Sequence, residues 1–213
     1  MPIRHAVSAL EALARLKEGN ARFVNNVRSV EALASQSNRD ALLKGQAPFA
    51  IILSCSDSRA PAELLFDCGL GDLFVVRVAG NVVAPSLVGS VEFAVTTFGT
   101  ELVVVMGHTR CGAVNATIDA LTKDTAALSP NVADIVSRIE PAVRELTETL
   151  KGDALVHAAI RANVRSSTDH LRHGSRVLEE RVEQGRLLVV GAEYALETGQ
   201  VDFFDVPPFP PLH

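Results

Sequence analysis

Phe49-Ala50-Ile51-Ile52-Leu53-Ser54-Cys55-Ser56-Asp57-Ser58-Arg59 is an apolar run that stops on a cysteine, a carboxylate and a guanidinium. A second stretch has the same build: Leu102-Val103-Val104-Val105-Met106 runs into Gly107-His108-Thr109-Arg110-Cys111. Short β-branched runs of this kind read as strands buried on both faces. Each ends in residues that carry chemistry, and open α/β sheets build their sites at the carboxyl ends of strands.

Outward from these two runs the chain alternates. Leu73-Phe74-Val75-Val76-Arg77-Val78 and Leu187-Leu188-Val189-Val190 are further strand candidates. Between the runs lie helices: a short one opened by Pro61 at its first position, one from about 86 to 98 closed by Gly99, and one starting near Cys111-Gly112. The expectation is an α/β fold, a central, mainly parallel β-sheet of about four core strands flanked by helices. Val7, Leu10, Leu13, Leu16 and Phe23 recur at helical spacing and predict an amphipathic N-terminal helix. Its stripe must be buried on its own core or on a partner subunit. A second helical stretch spans about 39 to 44 and is stopped by Gly45.

The stretch 123–186 is the most polar and helical part, with Pro141 expected to kink or restart a helix. Arg161, Arg165, Asp169, Arg172 and Arg176 fall at three- or four-residue steps, the spacing of a solvated helix face or of a subunit contact. Val206-Pro207-Pro208-Phe209-Pro210-Pro211 predicts an extended tail. No linker divides the chain, so 1–213 reads as one domain: a helical arm over 1–45, a site-bearing core over 46–122, and a helical region with the last strands over 123–213.

With 213 residues, 47% hydrophobic and 21% charged, the chain can bury one sizeable core. A formal charge of -5 and the lack of a basic tract argue against nucleic acid and against an anionic membrane surface. The apolar runs are strand-sized, too short to span a bilayer, and the first residues lead into a helix rather than a signal peptide. A cytoplasmic protein is expected. The three cysteines do not suggest a disulfide framework. Cys68, without a ligand-type neighbour, reads as an ordinary half-buried residue.

Cys55, His108 and Cys111 are donors of the type zinc takes, and the two-residue gap between His108 and Cys111 lets both reach one ion across a strand-to-helix turn. Cys111 should open a helix, whose terminal partial charge favours a thiolate and whose free amides suit a substrate oxygen. Three ligands leave the fourth tetrahedral position open, which a purely structural site would close. Asp57 is the nearby candidate for that position, and Arg59, two residues on, is placed to hold it off. Water then takes the position, its pKa brought from about 15.7 toward about 7, so that a zinc-bound hydroxide is available as nucleophile. Asp57 would orient it; if Asp57 swings onto zinc instead, the site is closed.

These residues resemble the β-class carbonic anhydrases. The Cys-x-Asp-x-Arg signature is Cys55-Ser56-Asp57-Ser58-Arg59, and His-x-x-Cys is His108-Thr109-Arg110-Cys111. Asp72 to Asn81, Leu16-Lys17-Glu18-Gly19-Asn20-Ala21-Arg22-Phe23 and Tyr194-Ala195-Leu196-Glu197-Thr198-Gly199 are similar to other family segments. The resemblance implies one Zn2+ per chain on Cys55, His108 and Cys111, an Asp57–Arg59 catalytic dyad, and reversible hydration of carbon dioxide to bicarbonate. It further implies a homodimer or homotetramer, with the N-terminal helix packing across a neighbour and Gln46 reaching the neighbouring subunit's site. Phe74 matches a residue walling the substrate pocket and Gly112 an oxygen-binding amide. Two positions depart from the pattern. Phe93 stands where many plant-type members carry a pocket tyrosine. Ile52 replaces the tryptophan of members that bind bicarbonate as an inhibitor, although Arg77 and Tyr194 match that set; the open form of the zinc is therefore expected at neutral pH. A carbonyl sulfide or carbon disulfide hydrolase on the same fold is the alternative, and a non-catalytic zinc-stabilised binding protein a third reading. By residue type His5, His157, His170, His173 and His213 are possible proton relays, though each reads more simply as a surface residue.

Overall fold

The computed structural model describes residues 7–27, 39–40, 42–124 and 126–207. Four strands, β1 (Ala50–Ser54), β2 (Leu73–Arg77), β3 (Leu102–His108) and β4 (Leu188–Tyr194), run parallel in the order β2-β1-β3-β4. A fifth, β5 (Val201–Asp205), pairs antiparallel with β4. β1, β3 and β4 are buried at every residue, which is why they read as unbroken apolar runs.

Side chains alternate across the sheet. Ala50, Ile52, Leu102, Val104, Leu188 and Val190 pack against α1 (Ala9–Val24) and α2 (Ala62–Leu65). Ile51, Leu53, Val103, Val105 and Val189 face the opposite layer. The helices after β2 are α3 (Pro85–Phe98), α4 (Gly112–Thr122), α5 (Pro130–Val143), α6 (Leu146–Thr149), α7 (Gly152–His173) and α8 (Arg176–Glu183). Of these, α3, α7 and α8 supply the opposite layer through Val91, Val95, Val164, Leu171 and Leu178.

Several expectations are refined. The helix expected as an arm lays its apolar face on this chain's own sheet, and Ser8 caps it by accepting the Glu11 amide at 3.3 Å. The buried stripe is Ala9, Ala12, Leu13, Leu16, Gly19 and Asn20, and Leu10 lies off it, 57% exposed. Gly19 is required there, because a Cβ would stand 1.9 Å from the Phe66 carbonyl oxygen. Buried Asn20 donates to the Leu65 and Gly199 carbonyls and accepts the Val201 amide, fastening α1 to α2 and β5. Residues 39, 40 and 42 are helical, and Gly45 follows at φ 136. Pro61 is the N-cap of α2 rather than its first residue. Pro141 neither breaks nor restarts a helix, because it falls near the end of α5, where one missing amide bond is tolerable. The proline-rich tail from 208, His5 and His213 lie outside the described residues.

Arg165, Asp169 and Arg176 of the arginine row are exposed, the last of them on α8, whereas Arg161 and Arg172 on α7 are engaged within the chain. Arg161 pairs with Glu193 at 3.2 Å and Asp202 at 2.9 Å and stacks 3.9 Å from the Phe204 ring centre. Arg172 donates to the Val189 carbonyl at 2.6 Å and pairs with Asp205 at 3.2 Å. These two arginines fasten α7 to β4 and to the half-exposed β5.

Candidate functional site

All four parallel strands deliver a residue to one end of the sheet. Ser54, the last residue of β1, is in register with Arg77 of β2 and Met106 of β3, while His108 of β3 is in register with Tyr194 of β4. The chain crosses over after β2, so β1 and β3 are neighbours in space. Cys55 and His108 therefore meet, and the turn after β3 brings Cys111 back as the N-cap of α4. The ligand atoms of Cys55, His108 and Cys111 all lie within 4.8 Å of one another, and all three residues are buried.

The donor set fits a metal ion. His108 Nδ1 lies 2.9 Å from the carbonyl oxygen of Thr109, which commits that nitrogen as N–H and leaves Nε2 with a lone pair. Nε2 is buried and has no hydrogen-bond partner among the described residues. A buried polar atom in that state costs free energy unless something binds it, and beside it stand two sulfurs. The Gly80 amide donates to Cys55 Sγ at 3.3 Å, from a turn held by Asn163 Nδ2 on the Gly80 carbonyl at 2.7 Å and by Ser167 Oγ on the Asn81 carbonyl at 3.1 Å. Gly80 sits at φ 72, a conformation that favours glycine.

The two sulfurs interact directly. The Cys111 thiol donates to Cys55, lowering the Cys55 pKa and raising that of Cys111. The Val114 and Ala113 amides favour a Cys111 thiolate, against the hydrogen bond to Cys55 and burial, which raise the Cys111 pKa. Burial lowers the His108 pKa, but the Cys55 sulfur and the Thr109 carbonyl raise it further, to a net value above the ordinary one.

Asp57 projects at the rim. Its Oδ1 accepts the Arg59 amide and Nε, both at 2.9 Å, and its Oδ2 accepts Arg59 Nη2 at 2.7 Å. Arg59 Nη2 also approaches the Arg110 carbonyl at 3.5 Å. This forked pairing holds the Asp57 carboxyl well below the usual carboxylate range. Asp57 Oδ2 is 3.9 Å from His108 Nε2. Arg77 braces the same loop, donating to the Cys55 carbonyl at 2.9 Å and the Asp57 carbonyl at 2.6 Å.

The remaining expected residues are placed differently. Gly112 opens α4 next to Cys111, and no atom lies within 4 Å of where a Cβ would stand. Gln46 is exposed and precedes β1, at the amino end of the strands, away from its own chain's cluster. Phe74 is in register with Ile51 and lies in an aromatic group with Phe93 and Phe98, at 6.3 and 6.0 Å between ring centres. Neither joins Cys55, His108 and Cys111 within one chain. Ile52 is fully buried in the core. His157 stands 3.4 Å from Glu193 and His173 3.1 Å from Asp169. Sequence reasoning missed the Gly80 amide, which acts through a backbone atom, and Glu197, whose side-chain partners Thr109 and Arg110 lie 88 and 87 residues away. The only sequence signal for Gly80 is a glycine just after a strand.

Among the described residues no helix is long and apolar enough to cross a membrane. Residues 50–201 match the family described as Carbonic anhydrase. The chain is 40% identical over 200 residues to Carbonic anhydrase 2 of Mycobacterium tuberculosis, covering 94% of this chain and 93% of that protein. It is 38% identical over 202 residues to the carbonic anhydrase of Mycolicibacterium smegmatis, covering 95% of each. Among solved structures it is similar to the β-carbonic anhydrase CcaA, with a TM-score of 0.70 and 26% identity over 92% of each chain. It is also similar to the β-carbonic anhydrase CafA of Aspergillus fumigatus, with a TM-score of 0.69 and 28% identity, covering 92% of this chain and 90% of that one.

Proposed function

The chain belongs to the β-class carbonic anhydrases, and from that premise we propose that it catalyses the reversible hydration of carbon dioxide to bicarbonate and a proton, with one zinc ion held by Cys55, His108 and Cys111. The observation that carries this reading is the buried, unpartnered Nε2 of His108 facing two sulfurs while Arg59 engages both oxygens of Asp57. A structural site would close on a fourth protein ligand, and here the nearest carboxylate is engaged elsewhere. When bound, zinc supplies Lewis acidity that brings deprotonation of a water into the neutral range.

The chain's own residues do the rest. Asp57, ionised and fixed by Arg59, accepts a hydrogen bond from the attacking oxygen and aims its lone pair at the carbon. Arg59 keeps Asp57 in that role rather than as a ligand, which supports the open form of the site at neutral pH. The Gly112 amide, at the free start of α4, suits an oxygen of the bound substrate. Phe74 and Gln46 lie at a distance from their own chain's cluster, so their roles as pocket wall and hydrogen-bond donor require a second copy. A homodimer or homotetramer is accordingly the proposed active form, and the cytoplasm the proposed location.

Stopped-flow hydration of carbon dioxide from about pH 6.5 to about 9, beside carbonyl sulfide hydrolysis on the same preparation, tests the reading. Fast hydration with little sulfide release is expected. The opposite ranking would assign the site to the sulfur analogue, and the absence of both activities in zinc-loaded protein would leave a binding protein.

A further inference from the structure

We infer that Glu197 is a positioning residue that sets the metal-ligand turn from outside, acting through Thr109 on His108 and through Arg110 on the Asp57–Arg59 pair. The inference rests on zinc binding at Cys55, His108 and Cys111. Glu197 uses both carboxylate oxygens on consecutive residues of that turn. Its Oε2 accepts the Thr109 hydroxyl at 2.9 Å, and its Oε1 accepts Arg110 Nε at 2.7 Å. At 46% and 72% side-chain exposure, the Glu197–Arg110 pair alone would contribute little. What it holds gives it weight.

Thr109 is fixed at every polar atom. Its amide donates to the Tyr194 carbonyl at 2.9 Å, its hydroxyl oxygen accepts the Leu196 amide at 3.0 Å, and its carbonyl faces His108 Nδ1 at 2.9 Å. Because Oγ1 already accepts from Leu196, its hydrogen must point to another acceptor, and Glu197 supplies it. The Thr109 carbonyl thus has a set position, and with it the tautomer and ring plane of His108. Arg110 takes φ 58, costly for a residue with a side chain, and its carbonyl is the one Arg59 Nη2 approaches. Glu197 holds the Arg110 side chain while its backbone stays in that conformation. One carboxylate therefore reaches both the zinc ligand and the dyad without touching either.

The test replaces Glu197 with Gln, which keeps the volume but turns one acceptor into a donor unable to receive Thr109 or Arg110. Zinc affinity is read by chelator competition without substrate, and ligand geometry by the absorption spectrum of the cobalt-substituted protein. The expected result is zinc binding weakened roughly ten-fold, a shifted cobalt spectrum, and kcat lowered with KM unchanged. The double variant Glu197→Gln/Thr109→Val should bind zinc no more weakly than the worse single variant, since both act on one path. Zinc affinity within about two-fold of the parent, or additive losses in the double variant, would overturn the inference. If Glu197→Gln fails to fold, Thr109→Ser against Thr109→Val reads the same path: Ser should bind zinc normally and Val weakly, and equal binding by both overturns it. A parent protein that binds zinc at these residues but does not hydrate carbon dioxide would overturn the proposed reaction while leaving the Glu197 measurement readable.

Discussion

Asp57 Oδ2 stands 3.9 Å from His108 Nε2, yet that oxygen is already engaged by Arg59 Nη2 at 2.7 Å. The carboxylate is near enough to the ligand cluster to act there and is kept from closing it. Its removal should separate metal binding from turnover. Asp57→Ala is expected to retain stoichiometric zinc and to lose about 100-fold or more in kcat, the scale of a lost orienting contact. Stopped-flow rates and metal analysis on one preparation check this, and full activity would remove Asp57 from the mechanism.

Arg59 acts on the orientation of Asp57 rather than its charge. The Asp57 pKa lies below its unfolded value because of Arg59, so its contribution to stability is complete above about pH 4 and is lost only as pH falls through the depressed value. Arg59→Met lets that pKa rise toward about 3.9, still far below neutrality. The variant should lose roughly ten-fold or more in kcat, with no new acid limb between about pH 6 and 9. An inflection appearing in that window would mean that charge, not aim, was lost.

Cys55→Ala and His108→Ala each remove one of the three proposed ligands. Both should purify with well under stoichiometric zinc, and added zinc, expected to raise the melting temperature of the parent chain, should not raise theirs. Metal analysis with thermal melts decides the point; stoichiometric zinc in both variants would sink the ligand assignment.

Gly80→Ala is a test at the backbone. Its Cβ would stand 2.8 Å from Ile139 Cδ1 and 2.9 Å from Ala113 Cβ, at a φ of 72. Strain and overpacking together should cost about 2 kcal/mol, lowering the melting temperature by roughly 5 °C. The amide should also shift off Cys55, weakening zinc binding. A variant with unchanged melting and unchanged zinc affinity would show that the turn yields freely.

What could be read in advance follows from what each residue does with its side chain. The roles proposed for Cys55, His108, Cys111, Asp57 and Arg59 pass through their own side-chain atoms, which spacing and residue type reveal, and Ile51 to Leu53 and Val103 to Val105 bury both faces of the sheet, which polarity reveals. β5 was not legible: Val201-Asp202-Phe203-Phe204-Asp205 is short and only half-buried, and its identity as a strand comes from pairing with β4. Leu10 lost its expected place because Ala9 and Ala12, small enough for close approach, define the buried stripe of α1. Arg161 and Arg172 looked like surface charges because their partners, Glu193, Asp202 and Asp205, lie on strands far along the chain.

The crossover that places β3 beside β1 also has a consequence for the order in which a ribosome delivers the parts. All three proposed ligands have emerged once Cys111 is made, whereas Leu155 and Ile160 of α7, which join Cys55 and Cys111 in one buried cluster, come only afterward. Glu197 is later still. A nascent chain therefore carries a complete but uncovered thiol–imidazole set until its second half is synthesised, and the closing helix, rather than the ligands, fixes when that set is sealed from solvent.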